Sequence, residues 1–250
     1  MFIVGILFIC LLLPYSVMST PLIVPSDLNK TINLVVFDMD LTILKSHSRG
    51  YVTYKPTPEF FSTEDIDSLI TDTFKELVPK LIDQNILIGI ATYSDRDMGS
   101  QQPKVGIAGE ELVKEVVKHA FPSNYQDIMK KIFIAAWIPN EQISFHYGKN
   151  NHIARIWMRI KAEQQNIKMA PEDSNEFLQS IRYYDNDLWQ HSGISYQEME
   201  IMKKSTILID DDRNNIYHAE NHGYRVIHAC GDSGMTHDNW NTFISQEKYK

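Results

Sequence analysis

The chain has 250 residues and a formal net charge of −8, with 24 Lys and Arg against 32 Asp and Glu. This length fits one α/β domain with an insertion. The acidic balance and the lack of a dense Lys/Arg run exclude nucleic acid as the main partner, because neutralising a phosphate backbone requires clustered cations. The composition is that of a soluble enzyme.

The N-terminal segment has a pattern of its own. Residues 2–13 form an unbroken apolar stretch, which is short for a membrane span and typical of the core of a secretory signal. We therefore expect residues 1–19 to be a signal peptide, cleaved between Ser19 and Thr20, and the protein to enter the secretory pathway or be secreted. The sequon at Asn29 agrees with this route. No Lys or Arg precedes the stretch, so a membrane anchor, with contact through this segment only, and a cytoplasmic protein remain alternatives.

The first run of core residues ends in two acids. Residues 34–37, Leu-Val-Val-Phe, have the pattern of a buried parallel strand, and Asp38 and Asp40 follow at once. In open parallel sheets, chemistry takes place just beyond the carboxyl ends of the strands. Two carboxylates so close together repel each other, and a divalent cation with oxygen ligands is the usual compensation.

Helical and strand patterns then alternate along the chain. They predict helices over residues 63–85, 110–119, 152–165 and 215–222, and strands over residues 86–91, 132–136, 206–209 and 225–229. We expect Pro79 to kink or split the first helix and Gly223 to end the last one in a left-handed conformation. This alternation predicts an α/β fold with a three-layer, Rossmann-like parallel sheet.

Two segments do not fit the alternation. Residues 45–61 are polar, aromatic and contain proline, and we expect a flap or small cap over the site. Residues 167–204 are rich in polar residues but also contain aromatic ones, which predicts an insertion that packs on the domain and is not disordered.

A second acidic cluster follows the strand at residues 206–209. The strand ends in Asp210, Asp211 and Asp212, and two strands that deliver acids to one sheet edge would build a cation site. Each cluster could instead be an Asp-rich turn. Residues 181–187 also have the pattern of a strand ending in acids. We prefer Asp210 and Asp211, because an Asn-led helix, a glycine and another strand follow them.

Four motifs in this order resemble those of the haloacid dehalogenase (HAD) superfamily. Residues 38–42, Asp-Met-Asp-Leu-Thr, resemble the first motif, and Thr92 at the end of a strand resembles the second. Lys149 resembles the third, and Asp210-Asp211 the fourth. Within the superfamily, the C-terminal stretch is most similar to that of the magnesium-dependent phosphatase group, which is sometimes placed with acid phosphatases. The resemblance implies a HAD-like domain over residues 30–250, with a small cap or insertion.

The resemblance also implies roles for the motif residues. Asp38 would be the nucleophile that accepts the phosphoryl group as an aspartyl-phosphate, and Asp40 would protonate the leaving oxygen and then activate water. Thr92 would donate a hydrogen bond to a phosphoryl oxygen, with Ser94 as the alternative. Lys149 would screen the phosphate charge.

The implied cofactor is Mg²⁺. Asp210 and Asp211 would hold it together with Asp38 and the backbone carbonyl of Asp40. The implied activity is hydrolysis of a phosphomonoester, on a phosphorylated small molecule such as a sugar phosphate or on a phosphoprotein such as one bearing phosphotyrosine. A phosphotransferase or mutase of the same fold and a catalytically silent binding module remain alternatives.

Overall fold

The computed structural model of the protein describes residues 20–55, 57, 60–95, 106–137, 148–166, 193–231 and 233–247. The strands in chain order are β1 Leu34–Phe37, β2 Tyr51–Thr53, β3 Leu87–Asp95, β4 Gly106–Ala108, β5 Ile132–Trp137, β6 Thr206–Asp210 and β7 Arg225–His228. The α-helices are α1 Ile66–Leu69, α2 Asp72–Asp83, α3 Gly109–Ala120, α4 Tyr125–Met129, α5 Asn150–Gln164, α6 Tyr196–Lys204, α7 Arg213–Asn221 and α8 His237–Glu247.

The centre of the fold is a five-stranded parallel sheet with the order β5-β3-β1-β6-β7. Alternate residues of β1 enter opposite core layers, because side chains in a strand point to opposite faces. Val35 and Phe37 pack in the layer that holds α2, α3 and α8. Leu34 and Val36 pack in the layer that holds α5, α6 and α7. The predicted three-layer α/β fold with a Rossmann-like parallel sheet is therefore confirmed.

The prediction of one helix over residues 63–85 is wrong, because the helix is interrupted. The chain forms α1 and α2 instead, with a break at Ile70, which has extended φ and ψ. The Thr71 side chain caps α2 by accepting a hydrogen bond from the Phe74 backbone N–H at 3.3 Å. Pro79 lies inside α2 and does not split it, since the helix continues to Asp83. The position of the break is thus set by the N-cap of α2. Burial of the apolar face of α2 stabilises the helix on both sides of the proline.

The other predicted elements agree with the structure to within a few residues, and Gly223 has the expected left-handed conformation, with φ +89°. In the segment 45–61, β2 pairs antiparallel with β4, which directly precedes α3. Of the expected insertion, residues 193–204 are described and contain α6, which begins with a capping box between Ser195 and Glu198. Residues 167–192, including the alternative acidic strand at 181–187, and the expected signal peptide lie outside the described residues. No helix in the described ranges is long and apolar enough to cross a membrane.

Candidate active site

Three strands bring the motif residues to one edge of the sheet. Because β1 lies between β3 and β6, Asp38 after β1 lies between Thr92 of β3 and Asp210 at the end of β6. The Asp38 backbone N–H donates to the Ile209 carbonyl at 2.8 Å, so the ladder fixes the position of Asp38. Asp38, Thr92 and Asp210 are all buried.

Lys149 reaches this edge from the start of α5. Its Nζ donates to Asp38 Oδ1 at 2.7 Å and to the Ala91 carbonyl at 3.0 Å. The same Nζ lies 4.0 Å from the centroid of the Tyr93 ring. Lys149 is only 1% exposed, so its charge is removed from water and is stabilised by the carboxylate, the carbonyl and the ring. The structure thus brings the residues of the first and third motifs into direct contact.

Gly148, directly before Lys149, lies close to α7. It has φ +60°, a conformation that L side chains rarely adopt. A Cβ at this position would lie 3.0 Å from the Asn215 Cα, which belongs to α7. The Gly148 backbone therefore packs directly on the backbone of the helix that follows the fourth motif.

Three carboxylates come together beside the lysine. Oxygens of Asp38, Asp210 and Asp211 all lie within 4.8 Å of one another. Asp210 accepts hydrogen bonds from the Asn215 side-chain amide at 3.0 and 3.1 Å, and from the Asp212 backbone N–H at 2.9 Å. Oxygen donors of this kind fit Mg²⁺, which prefers carboxylates together with water and phosphate. The Asp40 carboxylate is outside this group, and the predicted role of the Asp40 backbone carbonyl as a ligand stays a prediction.

Burial changes the acidity of the cluster. It raises the pKa of Asp38 to about 6, although Lys149 acts in the opposite direction. Burial, together with the charge of Asp38, raises the pKa of Asp210 well above its usual range. Burial also raises the pKa of Asp211. Burial and mutual repulsion therefore favour the protonated forms of these acids when no cation is bound. A bound divalent cation would favour their ionised forms.

Asp40 is held apart from the cluster by the segment that follows it. It lies in an irregular turn, Met39–Ile43, in which Asp40 has extended φ and ψ and Leu41 has φ +53°. Asp40 Oδ1 accepts a hydrogen bond from the Ser48 backbone N–H at 3.0 Å, and Oδ2 lies 3.8 Å from His47 Nδ1. The two predicted catalytic acids therefore have different surroundings: Asp38 faces the lysine, and Asp40 faces residues 47 and 48.

Thr92 and its alternative Ser94 have different contacts. The Thr92 hydroxyl accepts a hydrogen bond from the Ser94 backbone N–H at 3.1 Å. The Ser94 hydroxyl accepts from the Gly109 backbone N–H at 2.6 Å and donates to the Gly50 carbonyl. Ser94 thus ties the segment 45–61 to the start of α3, which leaves Thr92 as the better placed of the two to contact a ligand.

An open cavity of about 650 Å³ lies over these residues, a size suited to a small ligand. It is lined by Asp38, Asp40, His47, Arg49, Gly50, Thr92, Tyr93, Ser94, Asp210, Asp211, Asp212, Arg213 and Asn215.

Several of these residues were not found by sequence reasoning. Asn215, which holds Asp210, follows the fourth motif closely, and its amide next to an acidic run was the available signal. His228 was also missed, and its Nε2 lies 2.9 Å from the Asp211 carbonyl. His152 has no catalytic contact, and burial lowers its pKa well below the usual range, in keeping with a structural role.

The chain has an α/β fold with a Rossmann-like parallel sheet, and the four predicted motifs meet at one edge of that sheet. No protein-family model matches the chain, and no curated protein matches it. Among solved structures, it is similar to a predicted HAD-like family hydrolase from Porphyromonas gingivalis, with 14% identity, a TM-score of 0.36, and coverage of 88% of this chain and 99% of that one. It is also similar to an N-terminally truncated, IMP-bound IMP-nucleotidase from Plasmodium falciparum, with 13% identity, a TM-score of 0.33, and coverage of 87% and 69%.

Proposed function

We propose that the protein is a Mg²⁺-dependent phosphomonoester hydrolase that works through an aspartyl-phosphate on Asp38. One observation carries this proposal: a buried carboxylate at a strand end is paired with a buried lysine and lies beside two further carboxylates. A structural ion pair would not need the additional acids, which raise its energetic cost. A site for a phosphate and a cation uses all four groups. The likeness to the magnesium-dependent phosphatase group is part of the same proposal.

In the proposed reaction, an Asp38 carboxylate oxygen attacks the phosphorus and the bond from phosphorus to the ester oxygen breaks. Asp40 donates a proton to the leaving oxygen, and the leaving group departs as an alcohol. Asp40 then takes a proton from water, the water oxygen attacks the phosphorus, and inorganic phosphate leaves with Asp38 restored. The separate contacts of Asp38 and Asp40 suit this division of labour, because Asp38 is paired directly with Lys149 and Asp40 instead accepts from the Ser48 backbone N–H.

The charge of the phosphoryl group has to be balanced for a carboxylate to approach it. Lys149 supplies one positive charge at hydrogen-bond distance from Asp38. Asp38, Asp210 and Asp211 would hold Mg²⁺, which when bound supplies further charge neutralisation at the phosphoryl oxygens. The Thr92 hydroxyl would donate to a phosphoryl oxygen.

The test is release of phosphate from phenyl phosphate, with Mg²⁺ and with a chelator. We expect turnover only with Mg²⁺, restored when the metal is added back, and loss of turnover in Asp38→Asn. Asp212→Asn is the matched control. It removes the same charge from the same cavity, but Asn keeps the cap that Asp212 provides to the Asn214 N–H at 2.8 Å. Full activity in chelator, or in Asp38→Asn, would contradict the proposal.

The same assay separates the two alternatives. A phosphotransferase or mutase would form the Asp38 adduct but deliver the phosphoryl group to an added alcohol in preference to water. A silent binding module would form no adduct. We expect an adduct that is hydrolysed at the same rate with and without added alcohols.

A further inference from the structure

A tight turn at the mouth of the cavity has an unexpected residue at its tip. The Tyr51 backbone N–H donates to the Ser48 carbonyl at 3.2 Å, which closes a β-turn over Arg49 and Gly50. Both central residues are left-handed, with φ +56° at Arg49 and +72° at Gly50. A turn with two such residues favours Asn, Asp or Gly at the first position, and Arg is strained there.

The second left-handed position of the turn requires a glycine. A Cβ there would lie 2.9 Å from the Ser94 Cα, and its carbonyl accepts the Ser94 hydroxyl. The turn therefore packs closely on β3 and is hydrogen-bonded to it. Its geometry accounts for the glycine but not for the arginine that precedes it, so strain at Arg49 points to a use of its side chain.

The Arg49 side chain lines the same cavity as Asp38 and Asp40, yet it is exposed. Neither the Arg49 side chain nor the Arg213 side chain, on the α7 side of the cavity, makes a hydrogen bond or ion pair in the part of the chain that the structure describes. Many carboxylates lie nearby, and Arg49 contacts none of them. Its charge is therefore available for a ligand.

We propose that Arg49, supported by Arg213, binds a second anionic group of the substrate, a carboxylate or a second phosphate, outside the phosphoryl group that is transferred. This deepens the proposed phosphomonoesterase function and rests on it. The acids of the cavity repel such a ligand. The lysine and metal site compensates for the transferred phosphoryl group, and the two arginines compensate for the second group. Arginine suits this task because its planar fork donates two parallel hydrogen bonds to a carboxylate or phosphate.

The experiment measures binding, so that it does not depend on turnover. The probes are 4-(phosphonomethyl)benzoate and 4-(phosphonomethyl)benzamide, which replaces the carboxylate with a neutral amide and keeps the phosphonate, together with their 3-substituted isomers. The readout is Kd by calorimetry in the presence of Mg²⁺. We expect the wild-type protein to prefer a carboxylate isomer over its amide by roughly tenfold, the effect of one charge-assisted hydrogen bond. Arg49→Asn should abolish the preference and leave amide binding within about threefold, since Asn accepts the left-handed turn.

Two controls make the result specific. Lys55→Asn removes the same charge from the same segment, at an exposed residue that does not line the cavity, and should leave the preference intact. Arg49→Lys should retain part of the preference. Equal binding of carboxylate and amide by the wild-type protein overturns the inference, and so does an equal loss of both in Arg49→Asn, which would place Arg49 on the phosphoryl group or in a structural role. Failure of the proposed function would instead show as absent turnover of phenyl phosphate.

Discussion

Replacing Lys149 with Met should reveal how much the ion pair with Asp38 contributes to the free energy of unfolding. The lysine is 1% exposed and 2.7 Å from Asp38, so its removal leaves a buried carboxylate without its partner. Breaking a buried pair in this way costs about 3–5 kcal/mol. Lys149 also lowers the pKa of Asp38, so the variant can reduce the penalty by protonating that acid. We therefore expect a loss of free energy of unfolding near the lower limit, about 3 kcal/mol.

A double-mutant cycle tests the physical reason. In Asp38→Asn with Lys149→Met both charges are absent, so the double variant should be more stable than the sum of the single losses predicts, by about 2 kcal/mol. The assay is urea unfolding at pH 7 in chelator, followed by tryptophan fluorescence. Phosphate release with Mg²⁺ should fall at least about 10²-fold in Lys149→Met, because the charge that faces the phosphoryl group is lost.

Two results would refute this reasoning. A loss of free energy of unfolding below about 1 kcal/mol in Lys149→Met would mean that the pair contributes no more than an exposed ion pair. Strictly additive losses in the double variant would mean that Lys149 and Asp38 do not interact in the folded protein.

Three further outcomes are expected. In chelator, the protein should lose stability as pH rises from 4 to above 6, and Asp38 should account for about 3 kcal/mol of that loss. The folded pKa of Asp38, about 6, lies above its unfolded value of 3.8, so the unfolded state releases its proton first. Burial also raises the pKa values of Asp210 and Asp211, so Asp38→Asn should remove only the Asp38 part of a urea-unfolding pH profile. Gly148→Ala should cost about 1–3 kcal/mol and lower phosphate release, because its Cβ meets the Asn215 backbone. Gly193→Ala, with φ +70° and no described atom within 4 Å of the added Cβ, should strain the backbone but spare activity. N-terminal sequencing of the protein from its own cells should find Thr20 as the first residue, and an intact Met1 would contradict the signal peptide.

The sequence by itself determined the sheet and the acids at its edge. The apolar runs before Asp38 and Asp210 fix the strands, since uniform burial on both faces requires runs of this kind. A parallel sheet then puts both carboxylates at the same edge, whatever the order of its strands. Local capping was harder to predict, because the threonine that divides α1 from α2 competes with a helical pattern that continues through it.

The tertiary structure alone decided which side chains meet at that edge. Lys149 is separated from Asp38 by 111 positions in the chain, and only the packing of α5 on the sheet brings them together. Ser94 and Gly50 are 44 positions apart and meet through the turn at Arg49. Periodicity reports the burial of each element, but a contact between distant elements depends on strand order, helix placement and loop conformation. Three features are therefore properties of the folded chain: the ion pair of Lys149 with Asp38, the hydrogen bonds from Asn215 to Asp210, and the strained backbone of Arg49.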